Sequence, residues 1–200
     1  MRAIAFGLLT MSLFGAWGIS QPITIVAIDA GHGGDDTGGI GIDDLYEKEI
    51  VLKIAHLIAL EALSFPHMKV ILTRSDDRSL PPAERIAAAQ GAHFYISLHL
   101  GFSYDPRARG ITALVPTNAK SSSITLAEAL RLRLIAATRT LDRGTHVAPL
   151  WLRRLPIPAV QLNLGFLTNP EEARKLAQLA YQRRIARAIL EGLNDFIRSK

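Results

Sequence analysis

Short apolar runs rich in β-branched residues recur along this chain, each followed by a stretch with apolar residues at helical spacing. Residues 23–28, Ile-Thr-Ile-Val-Ala-Ile, contain one polar side chain, the pattern of a strand buried on both faces. A glycine-rich loop covers residues 29–44. Ile50, Val51, Ile54, Leu57, Ile58 and Leu60 then predict a helix over 47–63. A second strand is predicted at 70–73. Pro81 and Pro82 open a short helix ending near Gln90, because a proline in the first turn removes an N–H that has no partner there anyway. Further strands are predicted at 94–98, 111–115 and 160–164. Ser121–Ser123 supply a cap for a helix reaching about Thr140. Asn169-Pro170-Glu171-Glu172 start a last helix, or a broken pair, running to Phe196. The stretch from Asp142 to Trp151 receives no element. Alternating strands and helices predict one α/β domain, a mostly parallel or mixed twisted sheet with helices on both faces. In such sheets functional groups lie on loops beyond the strand ends.

Composition supports a packed domain. The chain has 200 residues, 48% hydrophobic and 20% charged, enough apolar material for a core and too little charge for a disordered chain. The formal net charge is +5, yet no dense Lys/Arg block favours nucleic acid. The mild positive balance suits an anionic polymer. Residues 1–20 read as a secretory signal peptide: Arg2, then an uncharged apolar run, then Gly18 and Ser20 before Gln21. Cleavage there leaves a domain over 21–200 with no stable membrane span and places it in the periplasm or cell envelope. There is no cysteine, so the exported domain relies on its core.

Three side chains suggest chemistry. His32 sits in Asp-Ala-Gly-His-Gly-Gly, where glycines leave the imidazole open to approach. His99 emerges where the strand Phe-Tyr-Ile-Ser-Leu ends. Glu47 opens a helix. Taken singly, His99 can be a strand-end histidine and Glu47 a charge complementing the helix dipole. Taken together, two His and one Glu are the ligand set of zinc sites that keep a fourth position for water. Asp29 either orients His32 from behind or closes the turn after the first strand. His56, His67, His93 and His146 occupy no ligand-like position.

The blocks IDAGHGGDDTGG, EKEIVL, KVILTRSDD, LPPAERIAAAQ, FYISLH and PAVQLNLGFLTNPEEA resemble, in order, those of the zinc-dependent N-acetylmuramoyl-L-alanine amidases of type 3. The resemblance covers most of residues 23–195. It implies a six-stranded sheet, one Zn2+ held by His32, Glu47 and His99, and cleavage of the amide between N-acetylmuramic acid and L-alanine of peptidoglycan stem peptides. Arg74 and Arg85 fall in these blocks and read as structural.

The sequence departs from the family at a functional position. The family's catalytic Glu, on the late strand, falls at Asn163, and Gln161 is polar where the family is apolar. Glu171 and Glu172 lie nearby as helix-start charges. An amide cannot relay a proton near neutral pH, though it can hydrogen-bond a water or a carbonyl. The resemblance therefore implies a weakened zinc amidase, or alternatively a zinc- and peptidoglycan-binding module without turnover. A monomer is expected.

Overall fold

The computed structural model describes residues 22–199. The expected signal peptide lies outside the described residues. Six strands form one sheet: β1 (Thr24–Ala30), β2 (Met68–Leu72), β3 (Phe94–Gly101), β4 (Ile111–Pro116), β5 (Asp142–Ala148) and β6 (Ala159–Phe166). Their order is β2-β1-β3-β6-β4-β5. All neighbours are parallel except β4 and β6, which run antiparallel. The helices are α1 (Glu47–Glu61), α2 (Pro82–Ala88), α3 (Ser121–Thr138), α4 (Pro170–Leu176) and α5 (Leu179–Arg198).

The two sheet faces are covered unequally. Val26, Ile28, Ile96, Leu98, Val160 and Leu162 point to one face and join a large core with α1, α3 and α5. In α1 this core takes Ile50, Val51, Ile54, Leu57 and Ile58 of the predicted stripe together with Ala55, whereas Leu60, counted with the stripe in the sequence, is 55% exposed. The opposite face has a small cluster of Ala27, Tyr95 and Ala159 against Ala89, Ala92 and Leu152. Beyond that cluster the same face carries Ser97, His99, Thr112, Gln161 and Asn163, with Leu114 beside Gln161.

Asn169 caps α4 through its side-chain oxygen, which accepts the N–H groups of Glu171 and Glu172 at 3.0 Å each, with Pro170 in the first turn. The predicted terminal helix is the broken pair α4–α5. α3 begins after Lys120 and has no side-chain cap, so Ser121–Ser123 do not act as expected. β5 has no counterpart in the sequence reading. It is an edge strand whose residues are mostly exposed or half-exposed, so no apolar alternation marks it.

The connections set the place of the site. The chain passes from β1 through α1 to β2 on one side, and from β2 through α2 to β3 on the other. The chain leaves β1 toward β2 and leaves β3 in the opposite direction along the sheet, toward β4, which leaves a crevice beyond the C-terminal ends of these two neighbours. His32 follows β1 and His99 lies near the end of β3.

Candidate metal centre

The loop after β1 is locked before it carries any chemistry. Asp29 is 1% exposed and accepts hydrogen bonds from Thr73 Oγ1 at 2.6 Å, Ser97 Oγ at 2.7 Å and Arg85 Nη1 at 2.6 Å. Arg85 also donates to the carbonyls of Ala30 and His32, each at 2.8 Å. Arg74, 1% exposed, donates to the carbonyls of Ala30, Gly31 and Lys48 at 2.8, 2.8 and 3.0 Å. Burial, and next the neighbouring Arg85 charge, lower the Arg74 pKa from its ordinary value. Two guanidinium groups thus satisfy backbone carbonyls of the turn, where His32 adopts the left-handed φ of 59° that non-glycine residues rarely take.

His32, Glu47 and His99 converge at this point. Their ligand atoms all lie within 4.8 Å of one another. Glu47 Oε1 is 3.1 Å from His32 Nε2 and 3.0 Å from His99 Nδ1, and it accepts the N–H of Leu100 at 2.8 Å. Oε2 accepts the N–H of Gly39 at 2.9 Å. Burial by itself pushes the Glu47 pKa up, but the hydrogen bonds from His32 and His99 outweigh it and hold the carboxyl well below the ordinary carboxylate range. The hydrogen bond to Glu47 raises the His32 pKa, against burial and with a further rise from Asp36.

The rings meet because the backbone beside them is bare. A Cβ on Gly31 would stand 2.3 Å from His99 Cε1, and one on Gly38 (φ 66°) would stand 2.6 Å from His32 Cδ2. The register between β3 and β6 shifts between His99 and Gly101, a local irregularity of the kind that re-aims side chains near functional sites. The side chains of His32 and His99 remain 23% and 18% exposed, so the cluster opens to solvent on one side. Two imidazole nitrogens and one carboxylate oxygen, converging with an open side, fit a divalent zinc ion. Among the described residues no other group of His, Cys, Asp or Glu meets this description.

Asp29 does not touch the His32 ring. That ring's Nδ1 is 2.8 Å from Asp36 Oδ2, so Asp36 is the carboxylate behind it. The sequence carries this signal in the spacing of four residues between His32 and Asp36 across Gly33 and Gly34, which allow the chain to fold back. Asp29 acts instead on the backbone, through Arg85.

Asn163 lies beside His99 in register on β3, and beside Thr112 on β4, all on the same face. Adjacent strands are about 4.8 Å apart, so these are next neighbours. Asn163 Oδ1 accepts from Gln161 Nε2 at 3.1 Å, which gives the unusual Gln161 a partner. Glu172 is 5% exposed and accepts from Gly110 N, Phe166 N and Thr140 Oγ1 at 2.7–3.1 Å. It ties the residue before β4 to the end of β6 and to Thr140, so both its oxygens are already engaged. Glu171 pairs with Lys175 at 2.6 Å on the surface. His56, His93 and His146 are bonded elsewhere, to Ser75 O, Ile25 N and Arg143 O.

Residues 26–195 match the family model described as N-acetylmuramoyl-L-alanine amidase. The chain is 30% identical over 200 residues to YqiI of Bacillus subtilis, an uncharacterized protein, covering 98% of this chain and 96% of that one. It is 32% identical over 177 residues to the N-acetylmuramoyl-L-alanine amidase LytC of Bacillus subtilis, covering 86% of this chain but 35% of LytC. The catalytic domain of CwlV, an N-acetylmuramoyl-L-alanine amidase from Bacillus (Paenibacillus) polymyxa, superposes with a TM-score of 0.82 at 31% identity, covering 89% of this chain and 100% of that one.

The buried pair beneath the site gives a stability prediction. Arg85→Met leaves Asp29 charged, buried and short of a partner, and should cost about 3–5 kcal/mol in urea unfolding. Arg183→Met, which breaks an exposed contact to Glu61, should change stability by less than about 1 kcal/mol. Equal losses in the two variants would contradict this account of Arg85.

Proposed function

This chain belongs to the N-acetylmuramoyl-L-alanine amidase family of type 3, and from that membership we propose that it is a zinc amidase of peptidoglycan. The reading rests above all on His32, Glu47 and His99 bringing three donor atoms within 4.8 Å at the divergent strand ends of an amidase fold. His32 Nε2, Glu47 Oε1 and His99 Nδ1 are the proposed ligands of one Zn2+. When bound there, zinc supplies Lewis acidity toward the scissile carbonyl and toward water.

The chain's own residues do the remaining work. Asp36 fixes which nitrogen of His32 faces the cluster. The N–H groups of Gly39 and Leu100 hold both oxygens of Glu47 in place. Asn163 stands on the proposed place of the family's catalytic Glu. With its oxygen turned to Gln161, its NH2 group is left to donate to a carbonyl oxygen or a water. It can orient a substrate but cannot take a proton from water and pass it to the leaving amine. General acid–base help is worth about 10²–10⁴ in rate. The natural protein is accordingly proposed to be a slow hydrolase; a peptidoglycan-binding role without turnover is the second reading that Asn163 favours.

Release of stem peptides from purified peptidoglycan tests this. Asn163→Glu should release them at least about 100-fold faster than the natural protein in the presence of zinc, and His99→Ala should release none. Comparable rates for the natural protein and Asn163→Glu would contradict the role given to position 163. Undiminished release by His99→Ala would contradict the zinc reading, and no release by either the natural protein or Asn163→Glu would favour the binding role.

Peptidoglycan lies outside the cytoplasm, so export belongs to the same proposal. The described residues contain no helix long and apolar enough to cross a membrane. With residues 1–20 removed, mass spectrometry of the exported protein should give a chain beginning at Gln21. An intact Met1 on the exported protein would sink the leader assignment.

A further inference from the structure

The segment that leaves β3 just after His99 puts two aromatic rings into solvent. Phe102 is 53% exposed and Tyr104 96% exposed. Their ring centroids are 5.3 Å apart at an interplanar angle of 87°, an edge-to-face pair. Contiguous exposed apolar groups are costly unless a ligand covers them, so such a patch marks a binding surface more often than a lone exposed residue does.

The backbone that carries the rings is held in place. Ser103 N donates to Thr168 Oγ1 at 3.2 Å and Leu167 N to Gly101 O at 3.3 Å. Ala108 N donates to Asp105 O at 3.0 Å and Asn169 Nδ2 to Pro106 O at 2.8 Å. This anchoring to the end of β6 and the start of α4 fixes the backbone from which the aromatic pair projects, which lowers the ordering cost of binding. The Phe102 end of the surface lies across Gly39 from the proposed metal centre. A Cβ on Gly39 would stand 3.3 Å from Glu47 Oε2 and 3.9 Å from Phe102 Cδ2, so one glycine separates the ring from the carboxylate. Ile40, next along, is 49% exposed.

We propose that Phe102 and Tyr104 form a sugar-binding platform that seats the N-acetylhexosamine rings of a glycan strand beside the metal centre. The inference rests on the amidase reading for its choice of substrate, and it assigns the glycan side of the scissile amide to this loop. The chemistry selects a sugar over the stem peptide. Stem peptides carry carboxylates, which seek cations. The aromatic pair is uncharged, and Arg107, the cation nearest it in the loop, already holds Asp105 through Nε and Nη2 at 3.0 Å each. A pyranose offers an apolar C–H face to a ring, and its hydroxyls can meet the Tyr104 hydroxyl at the rim.

The β-1,4-linked tetramer of N-acetylglucosamine is the probe, titrated by calorimetry into the zinc-treated mature protein. The natural protein should bind it. Phe102→Ala and Tyr104→Ala should each weaken half-saturation about five- to tenfold. Tyr104→Phe should restore most of the affinity, and Leu179→Ala, which removes an apolar group exposed elsewhere, should leave it unchanged. Unaltered thermal midpoints establish that the variants fold. No binding by the natural protein up to millimolar sugar, or an affinity in both alanine variants equal to that of the natural protein, overturns the platform. Zinc-dependent stem-peptide release by Asn163→Glu is read in parallel. Release without ring-dependent sugar binding sinks the platform alone, while ring-dependent sugar binding without release upholds the platform and sinks the amidase reading.

Discussion

The site depends on a buried ion pair that itself touches no ligand atom. Asp29 and Arg85, with Arg74 beside them, hold the carbonyls of Ala30, Gly31 and His32. Charges buried this deeply are costly to desolvate and are held by the hydrogen bonds that satisfy them. Here those hydrogen bonds run mostly to the backbone. They fix a turn that contains a non-glycine residue in the left-handed region, which would otherwise relax. The direction of the His32 ring follows from that turn.

On this frame Glu47 closes the cluster. Its first-turn place in α1 brings a carboxylate to the crevice between β1 and β3, where two imidazoles reach the same oxygen. Three elements distant in sequence meet there because the connections leaving β1 and β3 run in opposite directions along the sheet, toward β2 and β4. Gly31 and Gly38 let the rings approach to distances that any side chain would block. The proposed chemistry then divides along the sheet face. In that proposal His99 on β3 is a metal ligand, while Asn163 on β6, its lateral neighbour in register, offers a hydrogen-bond donor.

The strong periodicities of the sequence carried most of the fold. The buried runs of β1, β3, β4 and β6 and the apolar stripe of α1 were legible because both burial and spacing point one way. β5 was not, because Asp142–Ala148 lies at a sheet edge with no apolar alternation and is held by pairing with β4. In the site, the order His32, Glu47, His99 was visible through the family's blocks, whereas its support was not. Asp29 was a candidate partner for His32 on proximity in sequence, but strand alternation turns it under the turn, toward Thr73, Ser97 and Arg85. Asp36 can reach the ring only because the glycine loop doubles back. The Gln161–Asn163 contact depends on two side chains sharing one face of a strand, a period of two that becomes meaningful once β6 is placed at the centre of the sheet.

Zinc titration of the metal-free protein against a competing chelator tests the central claim most directly. The account predicts one tightly held zinc ion per chain, with binding lost in Glu47→Ala although that variant remains folded. Absence of stoichiometric zinc in the natural protein, or equal affinity in Glu47→Ala, would contradict it.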